Sequence, residues 1–199
     1  MQERATRTRK PAAIRRAELL DAATEVLRAR GVEATTVEEI TSTAGVSKGS
    51  FYLHFPSKER LLDALRERLG EELAAEVAAL ERPQQRAAWP EFTRRFVRRA
   101  VEVQVERADL HELLTAVGHD HAAEMGGDPR NPAERVLAST IAAGVEAGAY
   151  AVADEAAAVR LIFALVHAAG DWACEQPQEI ERIGSAAAEL TLRALGGAD

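Results

Sequence analysis

The chain has 199 residues, of which 47% are hydrophobic and only 5% aromatic, and its net charge is −7. This composition is ample for a packed core, and its abundant alanine, leucine, arginine and glutamate favour helix. It excludes a strand-rich fold, since no run of alternating β-branched residues is present, and a membrane protein, since no apolar stretch reaches about 18 residues. The basic N-terminus has no apolar signal core after it, and the single cysteine, Cys174, cannot form an internal disulfide, so we expect an all-α, cytoplasmic protein.

Charge is distributed unevenly along the chain. Residues 1–58 hold 10 Lys and Arg against 7 Asp and Glu, whereas the remainder holds 15 against 25. Screening limits the attraction of a phosphate to charges within about 8–10 Å, so a basic end on an acidic body could bind nucleic acid. A disordered, solvated tail explains the first basic residues equally well, and residues 1–11 are predicted to form such a tail.

Two helices are predicted first. Apolar residues recur at helical spacing over residues 12–30, and Gly31 can act as the C-terminal cap of that helix. Thr36 and Glu39 have the spacing of a capping box, which places the start of the second helix at Val37.

A sharp turn and two further helices are predicted next. Gly45 can adopt a positive φ that ends the second helix, and Ser47 can cap a short third helix over residues 48–53. Ser57 can cap a long helix over residues 58–80. Two short helices joined by a tight glycine turn are the elements of a helix-turn-helix.

The rest of the chain is also predicted to be helical, which brings the total to about nine helices. A polar loop over residues 118–131 is the longest connection. The further helices are expected over residues 84–107, 110–117, 132–147, 155–175 and 177–195.

The third helix has residue types that suit insertion into a major groove about 12 Å wide. Small residues stand at its start, and Phe51 and Phe55 are four residues apart on the side expected to face the core. Thr36 lies at a helix N-terminus, where backbone amides favour a phosphate. Side chains that could bring positive charge or a hydrogen-bond donor to phosphates are Lys48, Tyr52, His54 and Lys58. Any one of them could instead pack or remain solvated, and only the combination predicts a DNA interface.

The segment TTVEEITSTAGVSKGSFYLHFPSKERLLDAL, above all its run GVSKGSFYLHFPSK, resembles the N-terminal domain of TetR-family repressors. The resemblance covers about residues 12–65. It implies a three-helix DNA-binding domain over residues 12–57 and a helical ligand-binding and dimerisation domain over residues 58–199. It also implies a homodimer that leaves a palindromic, double-stranded operator when a small-molecule effector binds. The family's DNA contacts, carried over by position, are Thr36, Ser47, Lys48, Gly49, Ser50, Tyr52, Leu53, His54 and Lys58.

The resemblance assigns dimerisation to the last two predicted helices. Each carries a stripe of small and apolar residues that would permit close helix packing, although the core of a monomer would explain the same stripes. The residues expected in the interface are Leu161, Ala164, Leu165, Ala168, Trp172, Ile183, Ala187 and Leu190.

Candidate residues for a ligand pocket are drawn from the second half of the chain. An apolar cavity with a few polar groups is the usual ligand site. The candidates on helices expected to face inward are Phe96, His111, Leu114, Phe163 and His167. They favour a small hydrophobic ligand, and plain core packing is the alternative.

A short span rich in histidine and aspartate raises the question of a metal. Asp109, His111, His119, Asp120 and His121 are all of types that bind metals. His119 and His121 are two residues apart in a predicted loop, which is not the spacing of a helical metal pair. No metal and no cofactor are therefore predicted, and a polar rim or a histidine that donates to the ligand is the preferred interpretation.

Other functions are considered beside a ligand-responsive repressor. The chain has no nucleophile elbow G-x-S-x-G, no P-loop and no H-E-x-x-H, so it is not expected to be an enzyme. A TetR-like activator, a regulator without a ligand, and a helical protein-interaction module that does not touch DNA remain as alternatives.

Overall fold

The computed structural model describes residues 11–115 and 131–196. It divides into two compact units, one ending at Arg66 and the other beginning at Glu67, so the division falls within a helix. The predicted tail lies almost wholly outside the described residues, and so does the loop predicted over residues 118–131. All regular elements in the described ranges are helical, which confirms the all-α fold class.

Nine α-helices are present in the described residues, in agreement with the number predicted. The N-terminal unit contains α1 (Ala12–Ala34), α2 (Val37–Thr43), α3 (Lys48–Tyr52) and the start of α4 (Lys58–Ala78). The second unit contains the rest of α4, then α5 (Trp89–Glu106), α6 (Ala108–Thr115), α7 (Pro132–Glu146), α8 (Glu155–Glu175) and α9 (Ile180–Ala194).

Two helices begin later than the sequence predicts. A 3-10 turn over Arg86–Ala88 precedes α5, and another over Pro177–Glu179 precedes α9. A helix starting at residue 84 would hold Pro90 in its interior, where the ring clashes with the preceding turn and a backbone N–H is missing. In the structure Pro90 occupies the first turn of α5, where no N–H is needed.

The N-terminal unit is assembled from short elements with local caps. Thr36 and Glu39 cap each other at the start of α2, as predicted. Gly45 has a φ of 63°, in the left-handed region that favours glycine, and it turns the chain between α2 and α3. The predicted C-terminal cap, Gly31, has a φ of 75° and breaks α1, although one more helical turn follows it.

Lys58, the first residue of α4, is bonded to the end of α1. Its Nζ donates to the carbonyl oxygens of Val32 and Thr35, both at 2.8 Å. These carbonyls lie beyond the break at Gly31, where regular helical hydrogen bonding is interrupted. A cation that satisfies carbonyls near a helix C-terminus stabilises it. Lys58 therefore fixes the start of α4 on the connection between α1 and α2.

The core of the second unit forms around α5. This helix packs against α8 and α9, and α8 also packs against α7. The ring of Tyr150 lies edge-on to Trp89 at 5.5 Å, and its hydroxyl is 2.6 Å from the Thr93 hydroxyl. Burial raises the pKa of Tyr150, although the hydrogen bond with Thr93 opposes the shift. The loop after α7 is thus held to the start of α5.

The expectation that no apolar stretch is long enough to cross a membrane is wrong for α8. This helix of 21 residues has sufficient length and apolar composition, with about a third (33%) of the apolar window buried in the structure. Its buried residues Val159, Ile162, Val166 and Ala173 belong to the core of the second unit. Core helices can have this length and apolar composition, and these four residues place one side of α8 in such a core.

Replacing Lys58 should weaken the N-terminal unit. Lys58→Met removes a charged donor from two partly buried carbonyls, so we expect the free energy of unfolding to fall by about 2 kcal/mol. Urea unfolding followed by circular dichroism measures this change.

Lys48→Met is the matched control, since it makes the same replacement at an exposed residue of the same unit. It should leave the unfolding midpoint nearly unchanged. Equal losses in the two variants would show that the bonds of Lys58 do not hold the unit together.

Candidate nucleic-acid interface and ligand cleft

The outer side of α3 is open to solvent. Ser47, Lys48 and Gly49 are exposed, and the side chains of Tyr52 and Leu53 are 49% and 78% exposed. Exposed side chains at these adjacent positions are free to contact a partner. The structure therefore presents five of the predicted DNA contacts together on the helix and its two ends.

The inner side of α3 is anchored by two phenylalanines, as the sequence predicts. Phe51 and Phe55 are both buried, and their ring centroids are 5.8 Å apart. The guanidinium of Arg16 lies 5.2 Å from the centre of the Phe55 ring, which adds a cation–π contact from α1. These contacts fix which side of a five-residue helix faces outward.

The predicted caps hold the hydroxyl groups at the starts of α2 and α3. Ser47 Oγ accepts from the backbone N–H of Ser50 at 3.2 Å. Thr36 Oγ1 accepts from the N–H of Glu39 at 3.3 Å, and the Glu39 carboxylate accepts from the N–H of Thr36 at 3.1 Å. Thr36 and Ser47 thus have a structural role in the free protein in addition to the DNA contact predicted for each.

Lys48 forms an ion pair with Glu38 of α2. The hydrogen bond from Lys48 lowers the pKa of the Glu38 carboxyl, and the same bond raises the pKa of Lys48. Both shifts favour the charged forms of the pair. A phosphate that approaches Lys48 would compete with Glu38, a partner that the sequence analysis did not identify because it lies in another helix.

His54 and Lys58 are less exposed than Lys48, Gly49 and Tyr52 of α3. Both are half-buried, and two bonds of the Lys58 ammonium go to backbone carbonyls. An ammonium has three protons, so one remains for a phosphate. The DNA contacts predicted for His54 and Lys58 stay predictions.

A cleft lies within the second unit, between α4, α5, α7 and α8. The space between its walls measures about 650 Å³, a volume that includes the part open to solvent. Its lining is almost wholly apolar, with an amide and an imidazole as the polar groups among the described residues. The lining residues are Leu73, Val77, Phe96, Ala100, Val103, Gln104, Ala133, Leu137, Phe163, Val166 and His167.

Three of the five predicted pocket residues line this cleft, namely Phe96, Phe163 and His167. The His167 ring is stacked on Phe163 with centroids 6.2 Å apart and planes 7° apart. Leu114 is only 1% exposed and is not among the residues that line this cleft, so the ligand contact predicted for it stays a prediction. The side chain of His111 lies outside the described residues.

The sequence analysis missed Gln104. It follows Phe96 and Ala100 at intervals of four residues, which places all three on one side of α5. This spacing could have identified Gln104 as a polar residue on an otherwise apolar stripe.

Some of the predicted dimer residues are exposed in the structure and others are buried. Leu161 and Leu190 are 72% and 50% exposed, and Ala168 and Trp172 are exposed as well. Ala164 and Leu165 are half-buried. Ile183 and Ala187 are buried in the core of the second unit, and the interface role predicted for them stays a prediction.

The span rich in histidine and aspartate is tested only in small part. His119, Asp120 and His121 lie outside the described residues. Within the described ranges, no group of three His, Cys, Asp or Glu side chains is placed to hold a metal ion.

Residues 19–65 match the family model for bacterial regulatory proteins of the tetR family. A curated relative, the transcriptional repressor KstR2 of Rhodococcus jostii, is 49% identical over 51 residues, which are 26% of this chain and 25% of KstR2. The match thus spans about a quarter of the length of that relative.

Solved structures extend the likeness to nearly the whole chain. A regulatory protein of the tetR family from Rhodococcus RHA1 is 27% identical, with 93% of this chain and 98% of that chain covered and a TM-score of 0.65. SmeT of Stenotrophomonas maltophilia, in complex with triclosan, shares the fold at 23% identity, with 91% of each chain covered and a TM-score of 0.63. The N-terminal residues of the chain thus match the model of the tetR family, and its fold is that of solved regulators of this family.

Proposed function

We propose that the protein is a cytoplasmic transcriptional repressor that binds a palindromic operator as a homodimer and is released when a small hydrophobic molecule occupies the cleft. The observation that carries the proposal is the exposed outer side of α3 above two buried phenylalanines. Its relatives support it, since KstR2 is a transcriptional repressor and SmeT is the repressor of a multidrug efflux pump.

In this proposal α3 enters the major groove. Its small residues allow the backbone to approach the DNA, and Lys48 and Tyr52 contact phosphates on the two sides of the groove. The exposed side chain of Leu53 can reach the methyl group of a thymine. Phosphate contacts set the position of the helix, while contacts to base edges set the sequence it reads.

Replacing Lys48 and replacing Glu38 should change the affinity for DNA in opposite directions. Lys48→Met removes a phosphate contact and leaves Glu38 without its cation, so we expect about tenfold weaker binding. The slope of log affinity against log salt should also become shallower by about 0.9. Glu38→Gln removes the competitor for Lys48 and should strengthen binding. Fluorescence anisotropy on a duplex selected from a random-sequence library, between about 50 and 200 mM salt, measures all three quantities.

Arg86→Met is the control for charge alone, since Arg86 is an exposed cation in the second unit. It should leave the affinity unchanged. Binding that does not depend on salt, or equal effects of Lys48→Met and Arg86→Met, would contradict the proposed interface.

A homodimer would form through the exposed sides of α8 and α9. Leu161, Trp172 and Leu190 are large apolar residues on these helices that the folded chain leaves accessible. Two recognition helices on a two-fold axis match half-sites about 34–36 Å apart. Simultaneous binding of both half-sites raises affinity by about 100-fold or more over one.

Leu161→Glu should separate the subunits. A carboxylate placed at the centre of an apolar interface loses its hydration, so we expect the sedimenting mass to fall to that of one chain and operator affinity to fall about 100-fold. Analytical ultracentrifugation and anisotropy measure the two effects.

The matched control is Ile14→Glu, which replaces an apolar residue of α1 with 49% exposure. It should leave the sedimenting mass unchanged. Wild-type protein that sediments as a single chain at concentrations where it binds operator would rule out the dimer.

Release from DNA is proposed to act through α4. The side chains of Leu73 and Val77 line the cleft, and Lys58 on the same helix is bonded to the end of α1. A ligand that fits the cleft better when α4 has shifted would change the spacing of the two recognition helices. A hundredfold loss of operator affinity requires a difference of about 2.7 kcal/mol in ligand binding between the two states.

Screening small apolar compounds against the protein–operator complex tests release. At least one should lower operator affinity about 100-fold while sedimentation still shows a dimer. Ala100→Phe fills the cleft, so this variant should bind operator normally but lose the response. A response that survives Ala100→Phe would show that the compound acts at another site.

A further inference from the structure

Arg16, near the start of α1, is a cation without an acidic partner. The residue is exposed, and among the described residues no hydrogen bond or ion pair involves it. Other arginines of α1 are engaged by carboxylates. Arg15 pairs with Glu18 at 2.7 Å. Arg30 pairs with Glu39 of α2 at 3.0 Å. The charge of Arg16, in contrast, is not neutralised by a carboxylate of the described residues.

The contact that Arg16 does make leaves its hydrogen-bond donors available. Its guanidinium lies 5.2 Å from the centre of the Phe55 ring. Attraction of a cation to a ring does not require any of the five N–H donors of the guanidinium. Arg16 is thus held in place by Phe55 and can still donate two parallel hydrogen bonds to the oxygen atoms of one phosphate.

Phe55 places Arg16 beside the C-terminal end of α3. Phe55 comes two residues after Leu53, whose side chain is 78% exposed, and two residues span at most about 7 Å. In the proposed function α3 lies in a major groove about 12 Å wide, and a phosphate backbone runs along each side of such a groove. An exposed cation next to the end of α3 is therefore within reach of one of these backbones.

The surroundings of Arg16 in the chain favour an anion. The first turn of α1 contains no acidic residue. Residues 4–10, which precede α1, include three arginines and one lysine and no acidic residue. Because salt screens charges that lie more than about 8–10 Å away, these residues matter more to a phosphate at the start of α1 than the net charge of the whole chain does.

We propose that the start of α1 is a second DNA-binding site, at which the Arg16 guanidinium binds one phosphate of the operator backbone beside the groove that α3 enters. This inference rests on the proposed function, in which α3 is the recognition helix. Arg16 contacts the backbone and no base, so it fixes the position of α3 on the duplex and does not change the sequence that α3 reads.

Arg16→Gln tests the site by fluorescence anisotropy on a duplex selected from a random-sequence library. Loss of one charged phosphate contact should weaken binding about tenfold and make the slope of log affinity against log salt shallower by about 0.9. The preference for the selected duplex over an unrelated one should not change, because the contact is with the backbone. Arg16→Lys retains the charge but not the two parallel bonds, so it should restore the slope and only part of the affinity.

A neutral phosphate analogue identifies the contact itself. A methylphosphonate replaces one charged phosphate, and the replacement is made in turn at each position across a half-site and its flanks. One position should weaken binding of the wild-type protein about tenfold and have no effect on Arg16→Gln, which has already lost the partner of that phosphate. The same position should still weaken binding of Lys48→Met, because Lys48 is proposed to contact a different phosphate.

A role for Arg16 in folding alone would give a different result. If Arg16 only covered the Phe55 ring, every methylphosphonate would weaken Arg16→Gln as much as it weakens the wild-type protein. Loss of the cation–π contact should lower the melting temperature by only about 2–4 °C, so the variant remains folded during the measurement. Arg86→Met, at an exposed position in the second unit, is the control for charge and should keep the wild-type slope.

Failure of this inference is distinguishable from failure of the proposed function. A wild-type salt slope in Arg16→Gln, or a methylphosphonate pattern identical to that of the wild-type protein, would overturn the second site. Weaker binding by Lys48→Met would in that case still support DNA binding through α3. Absence of salt-dependent binding to any duplex would overturn both the second site and the proposed function.

Discussion

The N-terminal unit depends on the packing and hydrogen bonds that hold α2 and α3, two helices too short to be stable alone. Helices α2 and α3 have seven and five residues, and isolated helices below about 12–15 residues are marginal in water. Their caps satisfy only the first N–H groups. The rest of their stability comes from burial of Ile40 and Phe51 and from the bonds of Lys58, which join the start of α4 to the end of α1. The outer side of α3 can be polar and exposed to solvent because its inner side packs in the core.

The bonds of Lys58 also explain the role proposed for α4 in release from DNA. Lys58 belongs to the N-terminal unit, and Leu73 and Val77 of the same helix line the cleft of the second unit. A helix transmits a displacement along its axis because its backbone hydrogen bonds resist stretching. A change in the cleft that moves α4 would therefore act on the connection between α1 and α2. The bonds from Lys58 to two carbonyls are the contacts through which this would happen.

The second unit contains an apolar cleft within a well-packed helical core. The aromatic cluster of Trp89, Phe92 and Tyr150 closes one part of the core, and the cleft opens in another. Gln104 joins the cleft to α8 through Val166 and the close approach at Gly170.

Features set by neighbours in sequence could be predicted, and features set by neighbours in space could not. The capping box of Thr36 and Glu39, the turn at Gly45, the cap at Ser47 and the anchors Phe51 and Phe55 all follow from spacing within one turn or helix. The pair of Lys48 with Glu38, the carbonyl partners of Lys58, the burial of Ile183 and Ala187, and the exclusion of Leu114 from the cleft do not. Local caps and helical periods are properties of the backbone and its nearest residues. Which side of a helix faces a partner, and which cation meets which acceptor, is decided by packing between elements far apart in the chain.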